Sequence, residues 1–483
     1  MAGHEDAQSS ISGENSLSSP VALPATQGKP SGLERAQSRW ITVEPVIVLG
    51  MMGYTCIALV KPFFIKDRIS HLYNYTESND TQCGGLHPGN DTLGDKIQSE
   101  SSMWLLYLSA ASGIPAMLST IVFCTMSDRL GRKIAMALPA LGFAIQAAVY
   151  GFTIHFKLPL AVLFVGDAIQ GLTGGFGLLF AGCISYLTDA TSKEQRTMRI
   201  VIAEMLTFLV GGTNQLGQGY LITFGYLPSL AIAFGCNAAA LLYLGIPWFV
   251  IETIEGSRSD RKEFLEVWRR MKRLLEFNEN GRRWQMLLLD FFIFFVVGQT
   301  IGFSSILVLY GTAKPFCWTP ATAGIASALG FILLSFGMLI GTKVFSLCLG
   351  DYWLMQISSL SLLATLITTA LAQTTLVINI GSVLGSLRGI SVPVARTVLS
   401  TITHPNEIGA VFSIVGCLES LSLFVFSLAA TSLYASTIMF LPPLTFYVFS
   451  GVTVIPIGMT LLLQLYWPRQ KKYTKIEVNV NEN

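Results

Sequence analysis

"SDRLGRK", residues Ser127 to Lys133, decides how this chain is read. It holds one acid, three bases and a glycine between two apolar stretches, 103–126 and 134–154. Each stretch is long enough to cross a hydrocarbon core of ~30 Å as a helix. Gly131 permits a tight reversal between two helices. Asp128 stands at a helix end and can pair with bases of its own loop, Arg129, Arg132 and Lys133, or of a neighbouring one. Such a pair latches one domain against another in one state and breaks in the next. The plainer alternative is that these bases only set membrane topology.

Working outward, the same alternation of apolar span and polar turn fills the chain. Of 483 residues 52% are hydrophobic and 12% charged, where soluble proteins carry roughly 25% charge. Mean hydropathy is +0.56. Lipid is therefore the solvent for most of this surface. Twelve membrane helices are predicted: 41–65, 103–126, 134–154, 159–187, 200–224, 227–251, 286–310, 321–347, 353–374, 375–400, 409–435 and 442–467. The boundary at 374/375 rests on the polar run Ala372–Thr375. Residues 1–39 are rich in Ser, Gly and Pro, lack the apolar core of a signal peptide, and read as a disordered tail. Residues 468–483 form a second tail. The net charge of +2, with no basic stripe interleaved with aromatics, gives no reason to expect nucleic acid.

Lys and Arg set the orientation. With the N-terminus cytoplasmic, 22 of the 31 fall in cytoplasmic loops and tails, and five in outside loops. Both termini are expected inside. The first outside loop, 66–102, then carries three glycosylation sequons, at Asn74, Asn79 and Asn90. Two cysteines lie clearly in outside loops, Cys83 and Cys317. A bridge between them would tie that loop to the loop after span 7; the alternative is two unpaired thiols. Residues 252–285 separate two bundles, 40–251 and 286–467. Phe264–Phe277 has the periodicity of an amphipathic helix, read as lying under the bundles or on the headgroups.

Ionisable residues inside spans mark function. Span 10 carries two, Arg388 and Arg396, although a guanidinium near mid-membrane costs about 2.5–3.5 kcal/mol. As one α-helix the two are ~12 Å and roughly 80° apart, so both can face one cavity from different heights. There they would hold an anion, with Gln299 and Asn379 as polar support. The open alternative is structural pairing with the acids Asp167, Glu204 and Glu419. Lys61, Lys343 and Asp290 stand near span ends and are read as snorkelling. All five histidines fall in tails or loops, so coupled protons would have to ride on carboxylates. Burial raises a carboxylate pKa and a neighbouring arginine lowers it. Glu204 is the first candidate, then Asp167 and Glu419. "GLTGGFGLLFAG", Gly171–Gly182, reads as close packing and a hinge, not a phosphate loop. No HExxH, G-x-S-x-G or His cluster occurs within the spans, so neither an enzyme nor a metal or cofactor site is expected.

Ser127–Lys133 resembles the D-[RK]-x-G-[RK]-[RK] element of the major facilitator superfamily. Further runs narrow the likeness: "VEPVI" (43–47), "RTMR" (196–199), "AEML" (203–206), "PFCW" (315–318), "VPVAR" (392–396) and "EIGAVFSIVGCLESL" (407–421). Together they resemble solute carrier family 46, the proton-coupled folate transporter family. The resemblance implies an all-α membrane protein with twelve helices in two six-helix bundles. It implies a secondary-active transporter, importing an organic anion, folate-like or another carboxylated solute, with protons by alternating access. Alternatives are a lysosomal exporter of peptide- or glycoconjugate-like anions, or a receptor-like member with little transport. It places gating at the Asp128 loop with Asp189, Arg196 and Arg199. Glu204, Arg396 and the Cys83/Cys317 pair match the family. The folate transporter's span-7 histidine falls near Thr300, and its span-4 acid at Gly175, which argues against folate itself. The partners implied are a small organic anion, protons and the bilayer. The plasma membrane is the first expectation for location and the endolysosome the second, since "YTKI" (473–476) fits a sorting signal.

Overall fold

The computed structural model describes residues 41–74, 92–191, 193–252, 282–403, 408–438 and 440–466. Among them are no strands and twelve helices long and apolar enough to cross a membrane. They are Glu44–Leu72, Lys96–Thr120, Arg132–His155, Leu160–Asp189, Arg199–Phe224, Tyr226–Gly245, Arg282–Gly311, Pro320–Ser346, Asp351–Ala370, Thr375–Ile402, Ile414–Thr437 and Leu444–Tyr466, here spans 1 to 12. A helix satisfies its own backbone, which lipid cannot do. The chain is a multi-pass membrane protein. The polar run at 372–375 does divide spans 9 and 10: one ends at Ala370 and the next starts at Thr375. Both tails and the Phe264–Phe277 segment lie outside the described residues.

Two spans are interrupted where the sequence suggested plain helices. Span 4 is two helices, Leu163–Leu172 and Gly175–Asp189. Gly174 and Gly175 join them at φ of 95° and 58°, a backbone open to glycine and strained for any other residue. The carbonyls freed there are taken by span 2: Ser119 donates to Gly171 at 2.8 Å and Thr120 to Gly174 at 3.0 Å. Span 10 is also two helices, Thr375–Leu384 and Ser391–Ile402, joined by a 3-10 turn, Gly385–Gly389.

Span 9 compensates that second break. Ser358, Ser361 and Thr365 follow one helical face. Their hydroxyls donate to the carbonyls of Arg388 at 2.8 Å, Leu384 at 2.5 Å and Gly381 at 3.1 Å. Ser358 also accepts from the Ser391 N–H at 3.1 Å. The break is thus a satisfied structure, and it fixes where Arg388 points from.

The apolar core shows how the bundles meet. At the end bearing loop 66–102, one cluster draws on both bundles, with Phe63, Ile69 and Ile97 beside Phe303, Leu309 and Trp318. Hydrogen bonds join them there: Gln98 donates to the Leu309 carbonyl at 3.0 Å and Lys66 to that of Thr312 at 3.2 Å. At the end bearing Ser127–Lys133 the core separates. One cluster belongs to the first bundle, with Val46, Met136 and Leu187, and the other to the second, with Leu289, Val394 and Leu463. The bundles are therefore sealed together by apolar packing at one end and divided at the other. Spans 5 and 8 still touch there. Phe208 and Phe331 stack at 6.2 Å, and Ser335 donates to the Met205 carbonyl at 3.2 Å.

Candidate functional site

Beside that contact, on the divided half, lies a group of three buried charges. Arg396 enters from span 10. Its Nη1 donates to Glu204 of span 5 and its Nη2 to Glu419 of span 11, the latter at 2.5 Å. Side-chain exposure is 13% for Arg396, 6% for Glu204 and 18% for Glu419. Forked guanidinium geometry suits two acceptors at once. Glu204 belongs to the first bundle and the other two to the second, so the ion pair crosses between bundles. With both carboxylates ionised the group carries a formal charge of −1. It has no spare cation for a solute.

Among the described residues, Arg388 is a buried cation with donors to spare. It is 5% exposed, and neither Nε nor Nη1 has a hydrogen-bond partner. Its guanidinium lies 5.5 Å from the centroid of Phe303. Sequence arithmetic treated Arg388 and Arg396 as one turn-regular pair. The 3-10 turn at Gly385–Gly389 breaks that regularity, so spacings of an unbroken α-helix do not apply, and the two arginines have different surroundings.

The remaining candidates are scattered. Asp167 is fully buried and takes its partners from spans 1 and 3. Lys61 donates at 2.9 Å, Gln146 at 2.5 Å and Tyr150 at 3.0 Å. None of Glu204, Arg396 and Glu419 is among these partners. Lys61, expected to snorkel, is instead this acid's counter-ion. Asp290, also expected to snorkel, is 4% exposed inside the second bundle: it takes the helix face packed against that bundle's core, so nearness to a span end does not bring it to water. Gln299 accepts from Thr453 of span 12 at 2.6 Å, with its amide nitrogen unpartnered. Asn379 lies in the first helix of span 10, its Oδ1 buried and unpartnered.

The gating candidates gather on the first bundle. Gly131 adopts φ 112° and starts span 3. Arg132 pairs with Asp189 of span 4 at 2.8 Å. The backbone N–H groups of Arg132 and Lys133 donate to Glu252, after span 6, at 2.8 and 3.3 Å. Arg199 pairs with Glu44 of span 1 at 3.0 Å and donates to Thr191 at 3.1 Å. These contacts tie spans 1, 3, 4, 5 and 6 of the first bundle to each other. Glu44 and Glu252 are functional-site residues that the sequence pattern does not single out. Their depth beside positive turns was the missed signal. The side chains of Asp128, Arg129 and Arg196 lie outside the described ones. Gly131→Ala is expected to lose roughly 1–3 kcal/mol of stability, since its β-carbon would meet the Glu252 carboxylate at 2.5 Å on a disallowed backbone. Thermal unfolding in detergent measures this.

On the loop side, Asn74 is exposed just beyond span 1. Cys317 is disulfide-bonded. Asn79, Asn90 and Cys83 lie outside the described residues.

Comparison with known proteins agrees with this architecture. The profile of the Major Facilitator Superfamily matches residues 45–427. The chain is 26% identical over 437 residues to the chicken (Gallus gallus) "Lysosomal proton-coupled steroid conjugate and bile acid symporter SLC46A3", covering 87% of this chain and 93% of that one. It is 27% identical over 416 residues to the rat (Rattus norvegicus) "Proton-coupled folate transporter", covering 86% and 90%. Among solved structures, the human organic anion transporter MFSD10 superposes with a TM-score of 0.59 at 16% identity, covering 89% of this chain and all of that one. The xylose transporter XylE from E. coli gives 0.60 at 13%, covering 89% and 98%. With a profile that spans most of its length and twelve helices in two bundles, the chain belongs to the Major Facilitator Superfamily, with solute carrier 46 transporters among its full-length relatives.

Proposed function

We propose that this protein is a secondary-active transporter that carries an organic anion together with protons by alternating access. The observation that supports it is the buried ion pair between bundles, Arg396 with Glu204, buttressed by Glu419. Protonating Glu204 removes its charge and releases the guanidinium from the first bundle. Protonation thereby loosens the one buried ion pair described between the divided halves. The printed names of the relatives, one a proton-coupled symporter and one a proton-coupled transporter, support the same reading.

The anionic group docks at Arg388. An unpaired guanidinium in a protein interior is costly until an anion meets it. A carboxylate or sulfate offers two oxygens to the two bare donors. The side bearing loop 66–102 is the outside of the cell or the lumen of an acidic organelle. The two are topologically equivalent, and in both the anion moves toward the cytoplasm. The lysosomal location in one relative's name favours the organelle.

Uptake into proteoliposomes tests this, with a panel of folates, bile acids, steroid sulfates and short anionic peptides under an imposed pH gradient. At least one anion is expected to accumulate saturably with acid outside and to collapse with a protonophore. Arg388→Met is expected to raise KM for that anion by at least tenfold, as loss of two charge-assisted contacts of about 1.5–3 kcal/mol each implies. No saturable uptake of any anion under a gradient, or an unchanged KM in Arg388→Met, overturns the reading.

A further inference from the structure

Asp290 is a buried acid that the mechanism above leaves unused. Its Oδ1 has no hydrogen-bond partner. Its helix neighbours Met286, Leu289 and Ile293 belong to the inner apolar core of the second bundle. The register of spans 7 and 11 fixes its depth. These spans run in the same direction, and Ser422 of span 11 donates to the Phe294 carbonyl of span 7 at 2.6 Å. Asp290 lies one turn before Phe294, and Glu419 about one turn before Ser422. The two acids therefore sit at the same level on adjoining helices.

Its own helix carries Arg282 and Arg283 at the start, about two turns before it. Span 11 supplies Glu419. Span 10 supplies Arg396, whose fork is already held by Glu204 and Glu419. Span 12 has no Asp, Glu, Lys or Arg. Lys343 and Asp351 stand near the ends of spans 8 and 9. Of the span 1 charges, Glu44 and Lys61 are paired with Arg199 and Asp167, and Lys66, Asp67 and Arg68 stand at its far end. An ionised Asp290 would thus add an unpaired negative charge beside a group that is already −1, in apolar surroundings. Burial without a partner favours the neutral acid.

We propose that Asp290 is a second proton-carrying carboxyl of the transport cycle, protonated while Arg396 is clamped between Glu204 and Glu419. When the clamp opens, Glu204 leaves with the first bundle. Arg396 and Glu419 then balance, and the cost of ionising Asp290 falls. Its O–H bond breaks, the electron pair stays on the carboxylate, and the proton passes to water on the opened side. The cycle thereby moves one more proton than Glu204 alone carries. This inference rests on the proton-coupled reading above.

Two measurements test it. In proteoliposomes, Asp290→Asn is expected to lower the protons moved per solute by one, while solute counterflow at equal pH on both sides stays within about twofold of wild type. An unchanged stoichiometry overturns the inference. Infrared difference spectra of the purified full chain give a readout independent of transport. The wild type is expected to show, at neutral pH, a protonated-carboxyl C=O band that Asp290→Asn lacks and Asp290→Glu retains at a shifted position. If Asp290→Asn does not fold, the shift in Asp290→Glu identifies the band. A wild-type spectrum with no band assignable to Asp290 overturns the inference even if gradient-driven uptake succeeds. A band with no gradient-driven uptake sinks the transport reading and leaves a protonated Asp290 with another role, which also overturns the inference.

Discussion

Arg396→Ala is expected to abolish transport. Removing the guanidinium leaves Glu204 and Glu419 facing each other, buried and without a counter-charge. Breaking a buried pair by deleting one partner costs about 3–5 kcal/mol. If that cost falls on the clamped state, the cycle slows by roughly 100-fold or more, at about 1.4 kcal/mol per power of ten. Arg396→Lys is expected to rescue little, because an ammonium is a point charge and does not fork to two acids on different helices. Glu204→Gln separates charge from shape. It keeps a polar side chain able to accept from Arg396 but cannot take up a proton. Its uptake is expected to lose dependence on outside pH while counterflow continues. The sign follows from the pair: the contact holds while Glu204 is ionised and is lost as protons bind, so acidification drives opening. Initial uptake rates across a pH series, normalised to protein in the membrane, measure all three variants. Wild-type rates and pH dependence in both Arg396→Ala and Glu204→Gln would remove this group from the mechanism.

Lys61→Met is expected to produce the largest loss of folding stability. It strips Asp167, which has no exposed surface, of its only described ion-pair partner. Gln146 and Tyr150 remain to donate hydrogen bonds but supply no positive charge. The expected loss is about 3–5 kcal/mol, read as a fall in the unfolding midpoint in detergent. The double variant Lys61→Met with Asp167→Leu is expected to recover most of it, since replacing both members of a buried pair with apolar groups is often neutral. That recovery marks the pair as architecture of the first bundle. The opposite result would be an Asp167→Asn protein of unchanged stability whose uptake no longer responds to a pH gradient. It would return Asp167 to the proton path that its position in span 4 first suggested.

These two predictions concern charges that looked alike in the sequence. Four ionisable residues sat well inside spans 4, 5 and 10, with Glu419 in span 11, and nothing local told them apart. Asp167 and Lys61 are 106 residues apart and meet only because spans 1 and 4 pack in one bundle. Arg388 and Arg396 are eight apart, yet one is clamped by two acids and the other has two bare donors. The difference comes from the 3-10 turn at Gly385–Gly389, which turns one guanidinium toward span 5 and leaves the other against Phe303. Asp290 was misread for a related reason. Nearness to a span end says nothing about which helix face a residue takes, and Asp290 takes the face packed inside the second bundle.

The sequence by itself determined the twelve spans, the glycine-led turn at Ser127–Lys133 and the division into two bundles. These are local properties: some twenty consecutive apolar residues force a helix in lipid whatever their neighbours do. Only the tertiary structure decided which buried charge meets which, because an ion pair depends on distances of a few ångströms between helices that the chain connects through long detours.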